Sequence, residues 1–140
     1  MIATNSNTQN WYDSMSSLCV TLAHLDGYNV LDIEFENGEF REVYVASTPQ
    51  EKSDGLSKIV AIDLDGMLFC YDSSSYVPFS VESMMMDISI GWYTKNGDLI
   101  KMGDYMAGSK GPIFCHTPFN YVLEAPLGTL PKANIKIRNE

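Results

Sequence analysis

The chain has 140 residues, of which 45% are apolar, 11% are aromatic and 19% are charged. This length and composition fit one globular domain with a hydrophobic core, and they argue against a two-domain enzyme or a chain that is disordered throughout. Nine Lys and Arg residues against eighteen Asp and Glu residues give a net charge of −9, which repels nucleic-acid backbones and anionic membrane surfaces. We therefore expect neither a nucleic-acid partner nor a membrane partner.

The amino-terminal sequence has neither the basic start nor the apolar run of a signal peptide, and no apolar run is long enough to span a membrane. Cysteine occurs at Cys19, Cys70 and Cys115, an odd number at spacings unlike those of disulfide scaffolds or zinc sites. We interpret the three as reduced thiols. These features predict a cytoplasmic protein, with the virion as the alternative location, and no metal or other cofactor.

The first ten residues are a polar tract that is predicted to be an arm. Beyond it, apolar residues recur at steps of four and three, which predicts an amphipathic helix from Trp11 to Asp26 that ends at Gly27. We expect its apolar stripe to pack on the rest of the chain or to contact a protein partner. The chain thus divides into an arm and helix at 1–27 and a single β domain at 28–140. The stripe residues proposed for contact are Trp11, Met15, Leu18 and Leu22.

After residue 27 the apolar period changes to two, and the Asn37-Gly38 pair that follows predicts a β-hairpin. A two-residue turn there would place Phe35 opposite Phe40, and Leu31 opposite Tyr44. A second hairpin turn is predicted at 95–98. Further strands are predicted at 66–71, where the apolar run indicates burial on both faces, at two places within 76–93, and at 121–124 and 135–137.

A capping-box pattern predicts one short helix between these strands. Thr48 is the cap, Pro49 takes the first helical position, Glu51 takes the third, and Gly55 ends the helix. The segment 103–118 is predicted to be a long loop with at most one short strand, near Ile113.

No catalytic constellation stands out in this pattern. Cys115 and His116 combine a thiol with a base, but neighbours on an extended chain point to opposite faces. Residues 103–110 have the outer spacing of a phosphate loop, but Ser109 separates the second glycine from Lys110. We therefore predict no catalytic residues and no nucleotide site.

Several separated segments also line up, in order and spacing, with one family. They are 46–51, 55–56, 66–69, 96–100, 121–124 with Gly128, and 135–137. Over residues 43–138 the chain resembles the domain of unknown function 192 family. The resemblance implies a mainly β fold, a small distorted barrel or jelly-roll-like sandwich with one short helix, and no established biochemical activity.

The chain departs from the central pattern of that family, which is Phe-Trp-Met-Lys-Asn-Thr followed by Pro-Leu-Asp. Here residues 79–84 read FSVESM and residues 87–89 read DIS. Ser80 stands where the pattern has Trp, Glu82 reverses the charge of the Lys, and Ser89 replaces the Asp. The resemblance therefore implies that a ligand of the family's common surface would not be bound here in the same way.

Two functions follow as hypotheses, with an enzyme as a third and less favoured one. The first is a non-enzymatic interaction or assembly module that binds a protein partner or other copies of itself, for example as a phage virion or accessory structural component. The alternative is a domain that binds a sugar or small metabolite at the mouth of a barrel, since aromatic walls with a few polar groups suit such ligands. The candidate ligand-binding residues are Phe79, Glu82, Asp87, Ser89, Trp92 and Glu124.

Overall fold

The computed structural model describes residues 22–137, which form one six-stranded sheet with one short helix. Helix α1 (Pro49–Asp54) lies between the second and third strands in the sequence. The strands are β1 (Asn29–Glu34), β2 (Phe40–Ala46), β3 (Gly66–Ser75), β4 (Ile88–Tyr93), β5 (Leu99–Tyr105) and β6 (Phe119–Pro126).

The strand order is β1-β2-β3-β6-β4-β5, so β1 and β5 are edges and the sheet is not closed. Among the six strands of residues 22–137, only β2 and β3 pair in parallel, and α1 lies in the connection between them. The mainly β class is confirmed, as a distorted open sheet of sandwich-like character.

Hydrophobic clusters cover both faces of the sheet. Alternate residues of β4 and β6 point to opposite faces, so Trp92 and Val122 enter the larger cluster while Tyr93 and Leu123 enter the smaller one. The larger cluster is closed by residues that follow α1 and by the loops on either side of β4 and β5, and the smaller one by the segment around Ile135. All six residues of β4 are buried as a result.

The β1–β2 hairpin is confirmed, but its predicted register is wrong by one residue. Leu31 lies opposite Val43 and Glu34 lies opposite Phe40. The N–H of Phe35 donates to the carbonyl of Glu39 at 2.8 Å, so the turn contains three residues and ends at Gly38 with φ 91°. Asn-Gly also suits a three-residue loop that ends in the left-handed region, and that loop shifts the partner of every strand residue by one.

The chain before β1 does not form the predicted last turn of a helix over residues 22–26. It is extended instead, because the N–H of Ala23 donates to the carbonyl of Ala61 at 2.8 Å and the N–H of Asp63 donates to the carbonyl of Ala23 at 3.0 Å. The predicted arm, most of the helix with Trp11, Met15 and Leu18, and Cys19 lie outside the described residues. Leu22 is half exposed.

The capping box of α1 is confirmed in every part. Thr48 Oγ1 accepts the N–H of Glu51 at 3.1 Å, and the Glu51 carboxylate accepts the N–H groups of Thr48 and Ser47 at 3.2 and 3.0 Å. These backbone donors hold the pKa of Glu51 below its usual range. Gly55 ends the helix by donating its N–H to the carbonyl of Glu51. A helix of less than two turns is thus fixed at both ends.

Two strand predictions are only partly correct. Within 76–93 the structure has one strand, β4, and the preceding segment is irregular with a single bridge between Phe79 and Ile113. The predicted last strand at 135–137 is reduced to one bridge between Ile135 and Phe35. No helix of residues 22–137 has the length and apolar character needed to cross a membrane.

Candidate functional site

A pocket of about 430 Å³ lies between α1, β3 and the irregular segment 77–84. Three aromatic side chains, four serines and the acid Glu124 line it, together with Lys52 and Asp54 of α1. The lining residues used below are Lys52, Phe69, Tyr71, Phe79, Ser80 and Glu124.

Glu124 reaches this pocket because of the alternation along β6. It lies two residues beyond Val122 and therefore on the same face of the sheet, between Met67 of β3 and Ile90 of β4. The close approach of β3 helps to set its position, since a Cβ on Gly66 would lie 2.2 Å from the backbone oxygen of Glu124. The residue is 4% exposed.

The Glu124 carboxyl has no partner among residues 22–137. No ion pair there includes it. Burial raises the pKa of Glu124 to about 8, and no hydrogen bond or nearby cation opposes that effect. Buried acids are rare unless they are paired, and in the described part of the chain Glu124 has no such pair.

The aromatic side chains form one wall of the pocket. The rings of Phe69 and Phe79 meet edge to face, with centroids 5.3 Å apart and planes at 88°. The ammonium nitrogen of Lys52 lies 4.1 Å from the centroid of the Tyr71 ring. Burial and then the charge of Glu124 raise the pKa of Tyr71 to about 12, so its hydroxyl stays protonated at neutral pH.

Direct contacts hold the two sides of the pocket mouth together. Ser57, just after α1, and Ser83 are joined through their hydroxyl oxygens at 2.8 Å. The N–H of Lys58 donates to the carbonyl of Ser83 at 3.2 Å. The mouth is therefore part of the folded framework, as expected of a preformed ligand pocket.

The structure brings two of the six candidate ligand-binding residues together, Phe79 and Glu124. Trp92 is fully buried beneath Phe79, with ring centroids 6.3 Å apart, and it does not line the pocket. Ser89 lies on the opposite face of β4, where its hydroxyl donates to Asp104 at 2.7 Å.

The other two acids of that prediction support a neighbouring loop. Glu82 accepts the N–H of Gly111 at 3.2 Å, and Asp87 accepts the N–H of Ala107 at 2.8 Å. Neither residue lines the pocket at Glu124. A binding role for the complete set of six stays a prediction.

A second polar cluster was not foreseen from the sequence. His24 Nδ1 lies 2.7 Å from Asp63 Oδ2, and the buried Tyr44 donates its hydroxyl to Asp63 Oδ1 at 2.5 Å. The same hydroxyl accepts the N–H of Leu25 at 3.2 Å. Because these contacts join the chain before β1 to the sheet, we interpret the role of the cluster as structural.

A larger groove, of about 780 Å³, lies on the other face of the sheet beside β1. Two of its three charged residues, Glu34 and Lys136, pair with each other at 3.0 Å, and the third is the exposed Asp32. The exposed apolar residues Val30, Leu31 and Phe40 line it. None of its charged lining residues is buried, whereas Glu124 is, so the pocket at Glu124 is the stronger candidate.

Metal and thiol chemistry have little support in the described part of the chain. No group of three His, Cys, Asp or Glu side chains between residues 22 and 137 comes together as a metal site. Cys70 and Cys115 are free thiols, as predicted. Cys115 is buried while His116 is exposed, which matches the prediction that the two side chains diverge.

The model of the domain of unknown function 192 family, described as an uncharacterised ACR, matches residues 32–140. The chain belongs to the DUF192 family. This match confirms the resemblance and extends it to residue 32, within β1. The DUF192 match contains every wall of the pocket at Glu124. No curated protein matches the chain.

Two solved structures share the DUF192 chain's fold. One is a protein of unknown function from Novosphingobium aromaticivorans DSM 12444, with a TM-score of 0.72, 16% identity, and coverage of 89% of this chain and 96% of that one. The other is a proposed transcription regulator from Sinorhizobium meliloti 1021, with a TM-score of 0.67, 18% identity, and coverage of 81% and 97%. At these identities the likeness shows the fold alone.

Proposed function

We propose that this DUF192 chain is a small-molecule binding protein whose ligand occupies the pocket at Glu124. The observation that carries the proposal is the Glu124 carboxyl, which is 4% exposed, lines the pocket and has no partner among residues 22–137. An uncompensated buried carboxylate costs several kcal/mol. A ligand that supplies the missing partner recovers part of that free energy on binding.

The rest of the pocket has the composition of a ligand site. Phe69, Tyr71 and Phe79 supply apolar surface, while a few polar groups stand beside them. The volume of about 430 Å³ is within the range of small-molecule pockets. Ser80, at the position where the family pattern has Trp, leaves space at the mouth.

Binding is favoured over catalysis by the chemistry of the pocket walls. Ser57 and Ser83 are hydrogen-bonded to each other, and in the described part of the chain neither is bonded to a base. The alternative role in assembly, including a virion role, depends on the stripe at Trp11, Met15, Leu18 and Leu22, of which only Leu22 is described. That role stays a prediction.

The test is a screen of a fragment library by ¹H–¹⁵N NMR, with the wild type and two serine variants. Fragments should shift the amide signals of Gly55, Phe79 and Glu124 in the wild type. Ser80→Trp should abolish these shifts by filling the mouth, whereas Ser74→Trp, an exposed serine of β3 outside the pocket, should preserve them. Binding that maps only to other surfaces, or no binding by any fragment, would overturn the proposal.

A further inference from the structure

We infer that the ligand of this pocket is an organic cation, with an alkylammonium group that rests on the aromatic wall and pairs with the Glu124 carboxylate. The inference rests on the proposed binding function and names the ligand class. It depends on three observations: Glu124 has no ion pair in the described residues, aromatic rings line the pocket, and the Lys52 ammonium group already lies over one of those rings.

The first observation is the missing counter-charge at Glu124. The one cationic residue among the lining residues is Lys52, and it forms no ion pair with Glu124. Its ammonium group is placed over Tyr71 instead. A ligand cation that enters the pocket would pair with the Glu124 carboxylate.

The second observation is that the aromatic wall suits a cation. Aromatic faces attract ammonium groups that lie within about 6 Å of the ring centroid, most strongly where water is excluded. The Lys52 ammonium lies 4.1 Å from the Tyr71 centroid, so the wall already holds an alkylammonium group of the chain itself. Phe69 and Phe79 provide further ring surface nearer to the interior.

The remaining charges around the pocket agree with a cationic ligand. Helix α1 contributes Lys52 and Asp54, β3 contributes the protonated Tyr71, and segment 77–84 contributes only uncharged lining residues. The net charge of −9 also raises the local concentration of cations near the protein. An anion would meet no cation in the lining other than Lys52, which already lies over the Tyr71 ring.

Cation binding requires the carboxylate form of Glu124. In the free protein at pH 7 the buried carboxyl is mostly protonated, because burial raises its pKa to about 8. The ligand cation therefore replaces the proton, which leaves to solvent. Binding should release close to one proton per ligand at pH 7, and affinity should rise about tenfold per pH unit between pH 6 and 7.

The test compares choline with 3,3-dimethylbutan-1-ol, a neutral probe of nearly the same shape. Titration calorimetry at pH 7 in phosphate and in Tris separates proton release from the binding heat. We expect at least tenfold tighter binding of choline and release of close to one proton. Glu124→Gln should remove the preference and the proton release, while Glu42→Gln, at an exposed position of β2, should change neither.

The outcomes separate this inference from the proposed function. Equal binding of both probes, or binding of choline without proton release, would overturn the inference of a cationic ligand but would leave the proposed binding function standing. If neutral fragments bind in the pocket and choline does not, the inference of a cationic ligand is likewise overturned. Failure of every probe and fragment would overturn the binding function itself. If Glu124→Gln does not fold, the buffer comparison on the wild type still decides between these outcomes.

Discussion

Replacement of Glu124 by Gln should change the pH dependence of stability in a defined direction. The pKa of Glu124 is about 8 in the folded chain against an ordinary value of 4.5. Below pH 4.5 the carboxyl is protonated in both states, so it adds no pH dependence. As pH rises above 4.5 the unfolded chain loses its proton while the folded chain keeps it, and folding is disfavoured by about 1.4 kcal/mol per pH unit.

This penalty reaches about 3 kcal/mol at pH 7 and levels off above pH 8. Glutamine has nearly the same shape and does not titrate, so the variant lacks the penalty and retains only the cost of a buried amide. Urea unfolding of both proteins at pH 5, 6, 7 and 8 gives the difference in unfolding free energy, from which all other titrating groups cancel. The variant should gain between about 2 and 3 kcal/mol relative to the wild type between pH 5 and pH 7, because a small part of the penalty is already present at pH 5. A difference that does not vary with pH, or that moves in favour of the wild type, would refute the description of Glu124 as an unpaired buried acid.

Three further predictions concern the framework. Thr48→Ala should lower the unfolding free energy by about 1 kcal/mol, because the cap of α1 loses its acceptor; an unchanged urea midpoint would contradict this. Gly66→Ala should destabilise by on the order of 3 kcal/mol, since the new Cβ would lie 2.2 Å from the backbone oxygen of Glu124, and a near-neutral melting temperature would count against that close approach. The hydrogen bond to Asp63 raises the pKa of His24, so its stabilising effect should be full below pH 6.5 and be lost as pH rises through the folded pKa. The difference between the wild type and His24→Ala over pH 5 to 8.5 measures this effect, and growth of the difference with rising pH would show the opposite sign.

The sequence predicts most successfully where the interacting groups are close along the chain. The donors and acceptors of the capping box all lie between Ser47 and Glu51, so the pattern alone contains the whole interaction. The hairpin at Asn37-Gly38 was located, but its register depends on whether the loop has two or three residues, and the same pair suits both. The end of the predicted helix was wrong because Ala23 pairs with a segment near residue 62, a contact that no local period encodes.

The site was only partly predictable because its residues come from segments that are far apart in the sequence. Alternation places Glu124 on the same face as Val122, and this parity can be read from the sequence once β6 is recognised. Burial of β4 on both faces cannot be read in this way, so Trp92 was predicted at the site although it lies wholly in the core. Lys52 and Tyr71 were missed because α1 and β3 meet at the pocket only through the parallel connection from β2.

The segments that carried the family resemblance are far apart in sequence, yet several of them surround this one pocket. Of these segments, 55–56, 66–69 and 121–124 each contribute lining residues, and the departing stretch 79–84 completes the walls. Within that stretch, Ser80 stands at the mouth in the position where the family pattern has Trp. An indole at this exposed position would lie across the opening and cover apolar surface that is now open to water.

Ser80→Trp should therefore be at least as stable as the wild type while losing choline binding. Measurement of both quantities matters, because a variant that merely unfolds would lose binding together with stability. Ser74→Trp adds the same side chain to an exposed part of β3 and should retain binding. A stable Ser80→Trp protein that binds choline as tightly as the wild type would show that the ligand does not pass through this mouth, and it would remove the pocket at Glu124 as the site.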